Sequence, residues 1–356
     1  MGSKKQEKVI VGMSGGVDSS VAAALLLKQG YRVTGVTMKT WDESSLACQG
    51  GCFGLGQRDG IESARGVAAK LGIPFHVIDL AGEFKYRVLD YFCRQYMSGN
   101  TPNPCVRCNK LVKFGVFWEK ALAEGIEADF LASGHYARVE PGGDGRYLLK
   151  KGRDAKKDQS YFLYGLTQVQ LARALFPLGG YLKKEVRKLS VEMELGVEIR
   201  KESQAFAGGD YTALFEGKAV PGSIVDKQGN VLGKHKGIVH YTRGQRRGLD
   251  IASKEPLYVI DIKADTSSVV VGSLEDLCIE KQIVDDLNWI AIRSLNEPVE
   301  ITVRIRSSHK GYAAVVEPLD NGKALVTYKE PQAGAARGQS IVFYDGDVVV
   351  GGGIAE

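Results

Sequence analysis

The sequence predicts an α/β fold: a parallel sheet with helices on both faces, followed by a small β-rich domain and a C-terminal β barrel. Three observations predict it. Apolar strand-length runs alternate with helix-length runs over about the first 200 residues, the pattern of repeated βαβ units. Near residue 205 the texture becomes Gly-rich, with short β-like segments. From about residue 256 apolar and polar residues alternate between turn signals such as Asp320-Asn321-Gly322 and Asp345-Gly346, as in an antiparallel sheet or barrel. The expected domains are 1–204, 205–275 and 276–356.

In chain order, KVIVGM (8–13) reads as a strand that runs into SGGVDSS (14–20) and the helix VAAALLLKQG, ending on Gly30. YRVTGVTMKTW (31–41) is a second strand. GIESARGVAAKLG (60–72) is helical, with Ile61, Ala64, Val67, Ala68 and Leu71 at helical spacing. PFHVIDL (74–80) is a third strand. FKYRVLDYFCRQYMSG (84–99) and VKFGVFWEKALAEG (112–125) are amphipathic helices, and ADFLASGHYARV (128–139) returns to strand. QSYFLYGLTQVQLARALF (159–176) and KKEVRKLSVEMEL (183–195) complete the domain as helices. Alternating segments beginning at Pro256, Ser268, Val299, Tyr312, Lys323 and Gln339 supply the later strands.

The 356 residues are 44% hydrophobic and 25% charged, a globular balance. No apolar run reaches the ~18 residues a membrane helix needs, and the N-terminus lacks the apolar region of a signal peptide. A cytoplasmic protein without a membrane partner is expected. The net charge of +5 permits nucleic-acid binding without demanding it. Short basic clusters occur at 150–158, 181–188, 243–248 and 304–310. Any one of them reads as a solvated face; four together favour an anionic partner.

GMSGGVDSS (12–20) lies where a strand ends and a helix begins. Gly15 and Gly16 let the backbone turn tightly and bring N–H groups close to an anion. Ser14, Ser19 and Ser20 add hydroxyl donors, and the helix starting near Asp18 presents its positive end. A bound pyrophosphate would be cradled by all three. The loop lacks the Gly-Lys-Ser/Thr of a Walker A motif and the spacing of a dinucleotide fingerprint. The alternative reading is an ordinary Gly-rich turn that caps a helix.

The strand–SGG–x–D–S–helix context resembles the PP-loop, or ATP pyrophosphatase, superfamily, with its adenine nucleotide alpha hydrolase-like fold. The resemblance implies ATP split between the α and β phosphates, adenylation of a substrate oxygen, and Asp18 helping to hold Mg²⁺. The loop region, TPNPCVRCNKLVKFG (101–115), ASGHYARV (132–139), KDQSYFLYGL (157–166), YTRGQRRGL (241–249) and GQSIVFYDGDVVVGGGI (338–354) narrow it. From about residue 8 to the C-terminus they resemble the bacterial tRNA-specific 2-thiouridylases. Those enzymes replace O2 of the wobble uridine, position 34 of certain tRNAs, with sulfur after ATP has adenylated the oxygen.

The resemblance implies an ATP site of Gly12, Met13, Ser14, Gly15, Gly16, Val17, Asp18, Ser19, Met38 and Gly134. Met38 and Gly134 close strands, where open parallel sheets bind ligands. It implies tRNA contacts at Asn103, Pro104, Cys105, His135, Lys157, Asp158, Gln159, Arg306, Ser307 and Gln339. His135 also reads as a satisfied structural residue. The target uridine must leave the anticodon stack to be reached.

The cysteines depart from the family pattern. That pattern has Asn-Pro-Asp-x-x-Cys and a second essential cysteine about a hundred residues on. Here Cys105 replaces the Asp, giving Cys105-x-x-Cys108, and the later segment KESQAFAGGDY (201–211) has no cysteine. Cys48 and Cys52 follow the second strand. Three readings stand. One is a [4Fe–4S] cluster on Cys52, Cys105 and Cys108, with an open iron. Another is thiol or persulfide chemistry between Cys105 and Cys108. The third is a four-cysteine zinc site. Cys108 is the expected catalytic residue with Cys105 beside it, and Arg107 and Lys110 are expected to lower the Cys108 pKa. Cys93 and Cys278 read as plain buried thiols. The sulfur would come from a persulfide carrier protein or hydrosulfide. The rivals are another PP-loop enzyme, such as a small-molecule ligase or 2-thiocytidine synthase, and a non-catalytic tRNA- or metal-binding protein.

Overall fold

The computed structural model describes residues 6–41, 57–198, 206 and 211–356. The chain divides into two compact units: Met1–Val88 with Cys105–Tyr211 and Asp347–Val349, and Leu89–Pro104 with Thr212–Gly346 and Val350–Glu356.

The first unit opens with β1 (Lys8–Gly12), α1 (Val17–Lys28), β2 (Arg32–Lys39), α2 (Gln57–Leu71), β3 (Phe75–Asp79) and the one-turn α3 (Ala81–Phe84). The wide turn Lys85–Leu89 follows α3, and α4 (Asp90–Met97) lies in the second unit. α5 (Pro104–Cys108) has Pro at its first position, where a missing N–H costs nothing. It continues through a π-helical stretch, Asn109–Val116, into α6 (Phe117–Ala123). The unit then adds β4 (Phe130–Ala132), β5 (Ala137–Pro141), β6 (Tyr147–Lys151), α7 (Gln168–Ala172), β7 (Ala174–Leu175) and α8 (Lys183–Glu192).

The sheet is parallel throughout, in the order β3-β2-β1-β4-β7. Its central strand, β1, has Val9, Ile10 and Val11 buried, as expected of a strand covered on both faces. α1 is apolar from Val21 to Leu27, and Val21, Ala22 and Ala23 are fully buried. Its alanines let the helix pack closely against β1, β2, α2 and α8. An added side chain there would overpack the core. β5 and β6 form an antiparallel hairpin, which Val348 and Val349 extend.

Two sequence expectations change here. Residues 159–176 do not form one helix. A 3₁₀ turn (Ser160–Leu163), the five-residue α7 and the edge strand β7 replace it. The segment is buried nearly all round, at Tyr161, Leu163, Tyr164, Leu166 and Leu171, so its apolar spacing marked burial and not a helical face. Residues 128–139 break into β4 and β5 because the chain turns at Gly134 beneath α1.

In the second unit, Phe92 and Tyr96 of α4 pack on Phe215, with ring centroids 6.2 and 5.8 Å away. β8 (Gly222–Val225), β9 (Val231–His235), β10 (Tyr258–Lys263) and β11 (Ser268–Gly272) form a sheet in the order β10-β11-β8-β9. The β11–β8 pair is parallel. The alternation from residue 256 therefore begins in a mixed sheet before the barrel, since period-two spacing does not encode strand direction.

The barrel comprises β12 (Cys278–Trp289), β13 (Val299–Arg304), β14 (Tyr312–Pro318), β15 (Ala324–Ala333), β16 (Ser340–Asp345) and β17 (Val348–Ala355). Its order is β12-β15-β14-β13-β16-β17, and β12–β17 pairing closes it. Closure removes the open edges, and Val303, Val326, Ile341 and Phe343 fill the interior.

Arg243, within the basic string 243–248, is structural. Its guanidinium donates to the carbonyls of Ile260, Gly334 and Leu277 at 3.2, 2.7 and 3.0 Å. Arg243→Met should cost about 3 kcal/mol in urea unfolding, because three carbonyls lose a charged donor. The exposed Arg246→Met should change stability little. Equal effects would contradict this assignment.

Candidate active site

The site begins where β1 ends. Met13 N–H donates to Val36 O at 2.8 Å, and Thr37 Oγ1 donates to Met13 O at 2.7 Å, so the loop leaves the sheet at a fixed angle. Gly15 has φ +75°, and a Cβ there would stand 2.2 Å from Gly60 O. No other residue fits this turn without moving α2. Ser63 Oγ ties α2 to the loop by donating to Gly15 O at 3.0 Å. Ser19 Oγ accepts from Ser14 N at 3.2 Å and donates to Gly16 O at 3.2 Å. From the other side, a Cβ on Gly134 would lie 2.8 Å from Ser19 N. The start of α1 is thus enclosed by backbone, with its first-turn N–H groups lacking acceptors within the helix.

A cavity of about 370 Å³ lies over the carboxyl ends of the strands. Of the expected nucleotide residues, Gly12, Met13, Ser14, Gly16, Asp18, Ser19, Met38 and Gly134 line it. Gly15 and Val17 shape the loop without lining the cavity. Cys108, His135 and Gln159 line the same space, so the phosphate loop and one cysteine of the pair face one chamber.

Asp18 is engaged. Its Oδ1 accepts from Tyr136 OH at 2.7 Å, and Lys183 Nζ donates to both carboxylate oxygens at 2.7 Å. Lys183 is a buried lysine at the start of α8, and sequence reasoning placed it only in a basic cluster. No local signal marks it: only the fold shows that this lysine is drawn inside, where it must meet an anion. Gln57 was also missed. Its Nε2 donates to Met38 O at 3.3 Å and Thr40 Oγ1 at 2.8 Å, and its Oε1 accepts from the N–H groups of Thr40 and Trp41. Gln57 therefore fixes the segment expected to read adenine.

His135 is half-buried. Ser133 Oγ is 2.7 Å from its Nδ1, and Phe114 and Phe176 pack on the ring. Burial, then the charge of Lys113, holds the imidazole well below its usual pKa. Gln159 Oε1 accepts from Tyr136 N at 2.9 Å. Asp158 Oδ1 accepts from the N–H groups of Gly152 and Ser160, a local turn bond. Lys157 is half-exposed beside it.

The cysteine expectation needs correction. Cys108 is buried, and burial pushes its thiol up to about 11. Burial also raises Cys105. The cation that opposes both shifts is Lys113, not Arg107 or Lys110. Arg107 Nε donates to Arg87 O. The Phe206 backbone hydrogen-bonds Cys105. Cys52 and Cys48 lie outside the described residues. Cys278, expected to be buried, is exposed at the start of β12, and Cys93 is half-buried. Among the described residues no group of three or more Cys, His, Asp or Glu forms a metal site. Asn103 and Pro104 belong to the second unit. So do Arg306 and Ser307, which lie in the turn after β13 and not on the expected strand, and Gln339, between β15 and β16.

Three sequence families match the chain. These are the tRNA methyl transferase HUP domain over residues 7–207, the tRNA methyl transferase PRC-barrel domain over 214–273, and the aminomethyltransferase beta-barrel domain over 279–355. The chain is 48% identical over 360 residues to the tRNA-specific 2-thiouridylase MnmA 1 of Clostridium botulinum strain Loch Maree, covering 99% of both chains. It is 48% identical to MnmA 2 of Clostridium tetani and 45% identical to MnmA of Clostridium perfringens, again over 99% of each.

The imidazole held neutral predicts a pH response. His135 stays neutral in the folded protein, while the unfolded chain binds a proton near the ordinary value of 6.5. Its contribution to stability is present above that value and is lost as pH falls below it. His135→Asn should therefore flatten the loss of unfolding free energy between about pH 7.5 and about pH 5.5. An unchanged slope would contradict the burial argument.

Proposed function

The chain belongs to the family of tRNA-specific 2-thiouridylases, and from that premise we propose that it thiolates C2 of the wobble uridine, position 34 of tRNA, using ATP. The observation that carries this reading is the single chamber shared by the phosphate loop, the strand ends and Cys108. The name methyl transferase on two matching domains suggests a different one-carbon chemistry. Methyl transfer from a sulfonium donor has no use for a loop built to hold a pyrophosphate. Adenylation does.

The ATP phosphates rest on Ser14–Ser19 and the N-terminal end of α1, with adenine toward Met38 and Gly134. Asp18 would help to hold Mg²⁺, which would neutralise phosphate charge; in this structure its carboxylate is paired with Lys183. The uridine, flipped from its stack, lies by His135. Ser133 holds Nδ1, which leaves Nε2 of the neutral ring for the base. The C2 oxygen attacks the α-phosphorus and pyrophosphate leaves. A sulfur anion then adds to C2, and AMP departs with the former oxygen. Asn103, Pro104, Lys157, Gln159, Arg306, Ser307 and Gln339 are the proposed tRNA contacts. Asp158, already used in a turn, contributes mainly by holding that segment.

A persulfide carrier protein would pass its outer sulfur to Cys108, and that sulfur would displace AMP at C2. Cys105 would then attack the Cys108 sulfur, forming a Cys105–Cys108 disulfide as 2-thiouridine leaves, whereas hydrosulfide would add to C2 directly. Both thiols rest protonated at neutral pH, so the reactive form is made during the cycle. A [4Fe–4S] cluster is a second reading. The missing cysteine in 201–211 and the pair on α5 favour it. Cys105 and Cys108 would supply two thiolates to it and Cys52 the third. The described residues include no helix long and apolar enough to cross a membrane, in keeping with a cytoplasmic site of action.

The activity test is AMP release that requires a tRNA bearing uridine 34, together with 2-thiouridine in the digested product. Cys108→Ala should lose thiolation while ATP still binds, and AMP release with no such tRNA would sink the reading. Iron and sulfide should copurify under anaerobic conditions if the cluster operates. A fully active, iron-free enzyme would leave only the thiol route.

A further inference from the structure

The helix after Cys108 is wound wide. Asn109–Val116 is a π-helical stretch inside the rod from α5 to α6. Such turns disturb the regular carbonyl pairing and need compensation. A single buried side chain supplies much of it. Gln170 Nε2 donates to the carbonyls of Lys110 at 2.8 Å and Phe114 at 3.0 Å, while its Oε1 accepts from Thr167 N in the capping box of α7. Arg173 adds a donor to Phe114 O at 3.2 Å. At Gly115 the backbone leaves helical geometry, with φ −106° and ψ −108°.

The consequence is angular. Residues five apart in an α-helix stand about 140° apart around its axis. A π turn holds an extra residue, so the fifth position returns close to the starting face. Lys113 is five positions after Cys108, and both line the cavity with His135. The titratable groups lining that cavity are Asp18, Cys108, Lys113 and His135. Asp18 is paired with Lys183. Among the described residues no carboxylate pairs with Lys113, which is half-buried. A cation drawn inward without a counter-charge is suited to a substrate anion. The phosphates have their own donors at the start of α1. Lys113 belongs with the cysteines.

We propose that Lys113 holds the incoming sulfur anion against the activated C2 carbon, and that Gln170 is a positioning residue that keeps the turn wide. This inference rests on the thiolation reading above. The test separates the two half-reactions in single-turnover experiments with tRNA, ATP and sodium sulfide. Lys113→Gln should slow 2-thiouridine formation about 30-fold while pyrophosphate release changes by less than about threefold. Lys113→Arg should restore much of the lost step. Gln170→Leu should give the same split, with thermal melting reporting that it remains folded. Equal loss of both half-reactions in Lys113→Gln would assign the lysine to the nucleotide and overturn the proposal. Unchanged thiouridine formation would overturn it too. If the unaltered protein makes no 2-thiouridine, the thiolation reading itself fails and takes this inference with it.

Discussion

The arrangement depends on three backbones meeting without side chains between them. Gly15 passes under Gly60 at the start of α2, and Gly134 passes under Asp18 and Ser19 at the start of α1. These approaches press the loop after β1 between α2 and the turn after β4. The N–H groups at the start of α1 then face a chamber that also receives the ends of β2 and β4 and the helix carrying Cys108. A methyl group at Gly15 or Gly134 would push one of these walls away, so the site and the sheet topology are coupled at these points.

Charge in the chamber is arranged for ligands that arrive charged. The carboxylate of Asp18 is neutralised by Lys183. His135 is held neutral by burial, and the two thiols are held protonated. The resting site thus avoids bare buried charge, Lys113 excepted. Catalysis by differential binding needs that economy: groups that form strong contacts only with the phosphates, the magnesium ion and the sulfur anion favour the reacting state over the empty one.

Much of this was legible in the sequence. The period-two and helical runs give the parallel sheet and the later strands, because burial on one or two faces leaves a direct imprint on residue type. The loop was legible because glycine and serine have specific reasons to stand at Gly15, Gly16 and Ser19. Other features carry no local signal. The parallel β8–β11 pairing and the closure of β12 on β17 are long-range choices. Residues 159–176 mimic a helix because most of their apolar side chains are drawn into the core at helix-like spacing. Arg243 and Lys183 look like surface charges until the carbonyls and carboxylate that receive them are placed. The expected lowering of the Cys108 pKa failed because neighbours in sequence were taken for neighbours in space. Arg107 turns to Arg87 O, whereas Lys113 comes round on the wide turn.

The central claim is that the loop activates an oxygen of the base and that this oxygen leaves with AMP. Labelling states it in atoms. A tRNA carrying ¹⁸O at C2 of uridine 34 is converted with unlabelled ATP, and the AMP and pyrophosphate are weighed by mass spectrometry. The account predicts that the heavy oxygen appears in AMP, in step with 2-thiouridine formation. Heavy oxygen in pyrophosphate, or retained in the RNA while AMP accumulates, would contradict it.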